Sequence, residues 1–155
     1  MKLDSSSDID NRLFEALAGR CETISCDEGV TLFKQGDKPR GIYIIRNGEA
    51  NLLMLTTSGR IISSFTAESG SVLGLPSAVA NTPYSLTAVV RKGSVIGFIR
   101  LQDFHSLLRS EPTLYPCVLL ILSSEIRSAR TALASAFDTA PSHRDYVQLT
   151  EELIV

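Results

Sequence analysis

GVTLFKQGDKPRGIYIIRNG, residues 29–48 of a 155-residue chain, carries the pattern from which the rest of the fold is read. Leu32-Phe33 is a hydrophobic pair, Gly36-Asp37 a turn, and Gly41-Ile-Tyr-Ile-Ile45 a short apolar run that reads as a buried strand. Arg46-Asn-Gly-Glu49 reads as a hairpin turn, because Asn-Gly tolerates positive φ, with Asn51 to Thr57 as the returning strand. The same grammar extends on both sides. From Glu22 to Phe98 short β-prone runs alternate with glycines, including Gly59 in a second turn, Thr57-Ser-Gly-Arg60, ahead of Ile61 to Thr66. Turns at that spacing imply a mainly β fold, an antiparallel sandwich or roll.

Helical periodicity brackets this region. Ile9, Leu13, Ala16 and Leu17 recur at helical spacing after Asp8, and Gly19 is placed to end that helix. LQDFHSLLRSE, 101–111, is a short amphipathic segment, and Pro112 restarts the chain into a longer helix reaching about Ala136. Along it Leu119, Leu122, Ile126, Ala129, Leu133 and Ala136 follow steps of three and four, a seam suited to a second copy of the chain or to the sandwich surface. Leu120 and Ile121 lie on other faces and are available to the sandwich. The expected organisation is one domain over 1–137 and a tail over 138–155, with a weak helical run from Tyr146.

Composition removes several classes. An apolar fraction of 44%, a charged fraction of 21% and a longest apolar run of only Cys117 to Leu122 leave no membrane span. The first residues, MKLDSSSDIDNR, lack a signal-peptide core, so a cytoplasmic protein is expected. Three cysteines do not make a disulfide framework, and Cys21, Cys26 and Cys117 are expected as reduced thiols rather than metal or cluster ligands. A net charge of −2 and a pI near 5.7 give no basic footprint for nucleic acid. The two histidines, His105 and His143, have no partners at metal-ligand spacing, and Ser124-Glu125 and Asp103-His105 are helix-surface neighbours, so neither catalysis nor a cofactor is expected.

Lead-in helix, glycine-punctuated β-roll and long C-terminal helix together resemble the cyclic-nucleotide-binding domain of catabolite-activator (Crp/Fnr) regulators. The resemblance rests on Leu32-Phe33, Gly36-Asp37, Ile42-Tyr43-Ile44-Ile45 and Gly48, with Pro39 where the family has a small residue, and covers about residues 12–136. It implies a jelly-roll type β-roll and a non-catalytic sensor. Members that bind cyclic nucleotides carry a phosphate-binding cassette, Gly-Glu-x-Gly/Ala-Leu, a short helix, then Arg-Ser/Thr-Ala. Here Ser71-Val72-Leu73-Gly74-Leu75 and Tyr84-Ser85-Leu86 occupy those positions, so the carboxylate for the ribose and the arginine for the phosphate are both replaced. Losing two charge-assisted contacts at about 1.5–3 kcal/mol each lowers affinity by roughly 10² to 10⁴.

The candidate ligand residues are accordingly Val72, Leu73, Gly74, Leu75, Tyr84, Ser85 and Thr87, and the candidate dimer residues Leu119, Leu122, Ile126, Ala129 and Leu133. Three readings stay open: a sensor for a less polar small-molecule effector; a ligand-free module, with Val72 and Tyr84 filling the cavity, that dimerises or binds a regulatory protein; and a true cyclic-nucleotide sensor compensated by Arg91, Lys92 or Arg60. In the family, ligand contact at the cassette shifts the hinge after the roll and so moves the long helix. The residues over 138–155 are too few and too poorly basic for a helix-turn-helix, so no direct nucleic-acid contact by this chain is expected.

Overall fold

In the computed structural model, which describes residues 8–138 and the side chains of 11–135, the β-prone runs become two stacked antiparallel sheets flanked by helices. The order is α1 (Asp8–Ala18), β1 (Glu22–Cys26), β2 (Val30–Phe33), β3 (Gly41–Asn47), β4 (Glu49–Leu55), β5 (Ile61–Glu68), β6 (Val72–Leu73), α2 (Leu75–Ala80), β7 (Thr87–Val90), β8 (Ser94–Arg100), α3 (Leu101–Ser110), a 3₁₀ turn (Pro112–Leu114) and α4 (Tyr115–Asp138). The expected tail and its helical run from Tyr146 lie outside the described residues.

One sheet has the order β1-β8-β3-β6 and the other β2-β7-β4-β5, a jelly roll. Strand β3 explains why its sequence is continuously apolar rather than alternating. Ile42 and Ile44 face the helices, packing with Leu13, Leu17, Ile99, Phe104 and Leu107. Tyr43 and Ile45 face the roll interior, packing with Phe33, Leu73, Tyr84, Ala88 and Ile96. The strand is also interior to its sheet, between β8 and β6.

That position overturns the hairpin expected at Arg46-Asn-Gly-Glu49. With β8 on one edge of β3 and β6 on the other, no edge is left for β4, which pairs instead with β5 and β7. Gly48 has the positive φ that Asn-Gly foretold, 100°, but the turn carries the chain between sheets. A side chain there would collide with Ser94, whose hydroxyl accepts the Glu49 N–H at 3.2 Å. The Thr57-Ser-Gly-Arg60 turn is a true hairpin, joining β4 to β5.

Two compact units divide inside α4, Met1–Ser124 and Glu125–Val155. The α-helix starts at Tyr115 rather than Pro112, because the intervening residues form the 3₁₀ turn closed by the Leu114 N–H to Glu111 O bond at 3.0 Å. In the first unit Leu114, Cys117, Val118 and Ile121 pack into the helix-side core. Leu120, expected to serve the sandwich, is instead 47% exposed: one turn of helix can present only one stripe to the sheet, and the i, i+3, i+4, i+7 stripe from Leu114 to Ile121 occupies it.

Candidate functional site

The segment after β6 begins with Gly74 at φ 82° and ψ 10°, left-handed backbone, and then enters the six-residue helix α2 with proline in its first turn. Glycine is demanded twice at this position. An added Cβ would be strained by φ and would also meet Tyr84 Cε1 at 3.0 Å. Ser77, buried in α2, donates to the Pro83 carbonyl at 3.1 Å, so the loop leaving the helix is tied back to it before the chain reaches Tyr84.

Tyr84 is 3% exposed and bonded at every polar atom. Its N–H donates to Asp37 O at 2.9 Å and its carbonyl accepts the Gly36 N–H at 2.8 Å. Its hydroxyl donates to Gly41 O at 2.7 Å and accepts the Arg40 N–H at 3.2 Å. The ring stacks on Phe33 at 4.0 Å and 18°, and the aromatic series continues through Tyr43, 5.6 Å from Phe33, to Phe98, 4.9 Å from Tyr43. Burial raises the Tyr43 phenol above its ordinary pKa, Tyr84 adding to the effect and Arg40 opposing it. Tyr84 thus fastens the loop between β2 and β3 to the segment that follows α2.

The other candidate residues separate. Leu73 joins Tyr84 in the roll interior, whereas Val72 and Leu75 pack in the helix-side core with Ile44 and Ile42. Val72 therefore does not share a cavity with Tyr84, and the expectation that the two fill one space is corrected: adjacent strand residues point to opposite faces. Thr87 is buried and its hydroxyl accepts the Gln35 N–H at 3.0 Å, while Ser85 is exposed. Among the compensating cations, Arg91 is held by Glu49 at 2.6 Å in an exposed pair and Arg60 lies in the β4–β5 turn. Among the described residues every buried side-chain nitrogen and oxygen has a hydrogen-bond partner.

Gln35 and Phe33 were missed as site residues. Gln35 Nε2 donates to Leu55 O at 3.0 Å and its Oε1 accepts the Leu55 N–H at 2.9 Å, a side chain acting as a strand partner to the end of β4. Nothing local foretells this pairing across 20 residues. On α4, Leu119, Ile126 and Leu133 are 63%, 55% and 57% exposed, Ala129 is exposed, and Leu122 is partly buried against the core. No three His, Cys, Asp or Glu side chains cluster to hold a metal ion among the described residues, where all three cysteines are free. No described helix is long and apolar enough to cross a membrane.

Two four-stranded sheets rolled around an aromatic interior, with a glycine-led short helix inserted before β7, define a jelly-roll β domain. Residues 23–111 match the family model for the cyclic nucleotide-binding domain, and the chain belongs to that family. Among solved structures it is similar to the catabolite activator protein of Thermus thermophilus, at 20% identity and a TM-score of 0.68 over 86% of this chain and 61% of that one. A cyclic nucleotide-binding domain from Methylobacillus flagellatus KT aligns at 18% identity and TM-score 0.66, over 92% of this chain and 79% of that one. The sensor domain of the transcriptional regulator DNR from Pseudomonas aeruginosa aligns at 20% and 0.59, over 89% and 86%. These likenesses are of fold. This chain spans less than two thirds of the Thermus protein's length. No curated protein matches it.

Proposed function

We propose that this cyclic nucleotide-binding family member is a non-catalytic, cytoplasmic regulatory domain of the Crp/Fnr type whose cassette is held shut by Tyr84, so that it does not bind cyclic AMP or cyclic GMP tightly. The observation that carries the proposal is the Tyr84 hydroxyl, committed to both Gly41 O and the Arg40 N–H. A ligand phosphate entering here would have to displace a buried ring stacked on Phe33 and would find no cation at position 84 to receive it. Output then passes through association rather than ligand capture, and the exposed Leu119, Ile126, Ala129 and Leu133 side chains of α4 are the surface for a homodimer.

Titration calorimetry with cyclic AMP and cyclic GMP tests the first part, with no saturable heat expected below about millimolar concentration. Micromolar binding of either nucleotide overturns it. A thermal-shift screen of apolar and aromatic compounds addresses a repurposed sensor, and a stabilising hit abolished by Tyr84→Ala would replace the closed-cassette proposal with that one.

A further inference from the structure

Strand β7 starts at Thr87, so its ladder with β4 stops at the pair Leu53 and Thr87. Farther along β4, Leu55 has no β7 residue to pair with. A side chain meets it instead. Gln35 Oε1 accepts the Leu55 N–H at 2.9 Å, and Gln35 Nε2 donates to Leu55 O at 3.0 Å. A primary amide carries the same donor and acceptor as a peptide group, so Gln35 prolongs the ladder past the point where β7 runs out. The Gln35 N–H donates in turn to Thr87 Oγ1 at 3.0 Å, which fixes the same residue to the start of β7.

Gln35 sits in a turn that closes on itself. The Asp37 N–H donates to Lys34 O at 3.0 Å, and the Asp37 carboxylate accepts the Lys34 N–H at 3.3 Å. Gly36 has φ 92°, left-handed backbone that glycine supplies without a Cβ clash. Closed in this way, Lys34 to Asp37 docks and undocks as one body. The same turn holds Tyr84, through the Gly36 N–H to Tyr84 O at 2.8 Å and the Tyr84 N–H to Asp37 O at 2.9 Å. It therefore carries Tyr84 on one flank and the end of β4 on the other. Beyond Leu55 lies the tip of the β4–β5 hairpin, closed by the Thr56 N–H to Arg60 O at 2.8 Å. Undocking of the turn breaks the bonds on both flanks together.

We propose that the Lys34 to Asp37 turn is a strap coupling Tyr84 to the β4–β5 hairpin: docked, it completes the β4 ladder through Gln35; undocked with Tyr84, it frees Leu55 and the hairpin beyond. It rests on the closed cassette and names the element which that closure controls. Native-state amide hydrogen exchange tests it. The reporter is the Leu55 N–H, and the internal reference is the Arg91 N–H, bonded to Glu49 O at 2.9 Å at the opposite end of β4, which absorbs any general loss of stability. Tyr84→Phe removes no bond to Leu55, yet it is expected to raise the Leu55-to-Arg91 exchange ratio about tenfold. Gln35→Ala raises that ratio directly, and in its background Tyr84→Phe adds less than about twofold, because the coupling element is already gone. Linkage is reciprocal, so Gln35→Ala also speeds exchange of the Tyr84 N–H. The thermal midpoint keeps the strap and the cassette apart. A lowered midpoint in Tyr84→Phe with the Leu55 ratio unmoved, equal ratio changes with and without Gln35, or a Tyr84 N–H indifferent to Gln35→Ala overturns the strap and leaves the closed cassette standing. An unchanged midpoint in Tyr84→Phe overturns both. Circular dichroism confirms that each variant is folded before its rates are compared.

Discussion

Tyr84→Phe isolates the clasp from the packing. The ring stays on Phe33, 4.0 Å away, and only the hydroxyl is removed, so the variant subtracts the bonds to Gly41 O at 2.7 Å and from the Arg40 N–H at 3.2 Å. The first is buried and water cannot readily replace it, which costs about 1–3 kcal/mol; the second is part-buried and costs about 0.5–1 kcal/mol. The expected loss is about 2–3 kcal/mol, or about 5–10 °C in Tm for a chain of this size. Because the protein has no tryptophan, urea unfolding is best followed by far-ultraviolet circular dichroism. A loss below about 0.5 kcal/mol would mean that the hydroxyl fastens nothing, and the closed cassette would lose its main support. Tyr84→Ala, by contrast, removes the stack as well and should cost about 3–5 kcal/mol.

Gly74→Ala should destabilise by about 1–3 kcal/mol in the same assay, since φ 82° disfavours an L side chain and the new methyl meets the Tyr84 ring; a neutral result would refute the close approach. Ile126→Asp should weaken dimerisation at least about tenfold by sedimentation velocity at matched concentration, and an unchanged dimer would exclude α4 as its interface. Burial pushes the Glu125 carboxyl up to about 7 from 4.5. The folded state then holds a proton that the unfolded state releases, so this group lowers stability as pH rises from about 4.5 to 7 and adds no further change above that. The effect is bounded at about 3 kcal/mol and is smaller where solvent screens the partly buried side chain. Glu125→Gln should flatten that part of the stability profile, and an unchanged slope would show that Glu125 is not its source.

Much of the architecture was legible because it is encoded locally. The i, i+3, i+4 stripe of Leu13, Ala16 and Leu17, the glycine-bounded β runs and the apolar segment Ile42–Ile45 each declare an element through burial periodicity. The glycine of the turn at Gly74 was equally visible. Where periodicity stops, local information stops with it: a turn residue specifies φ but not the strand that its neighbours will pair with. Asn47-Gly48 was rightly identified as a turn and wrongly as a hairpin for this reason.

The amino-acid sequence by itself determined a β-roll between helices, the presence of Val72 and Tyr84 on either side of a glycine-led turn, and a candidate apolar seam on α4. Tertiary structure decided their arrangement. It set Val72 and Tyr84 on different faces, closed the Tyr84 hydroxyl on a backbone more than 40 residues away, and gave the core-facing stripe of α4 to Ile121 rather than Leu120. Periodicity and turn chemistry act over a few residues and can be read along a chain. A hydrogen bond between Tyr84 and Gly41 depends on two distant segments being brought together by the burial of both faces of β3, a constraint that exists only once the sheets are assembled.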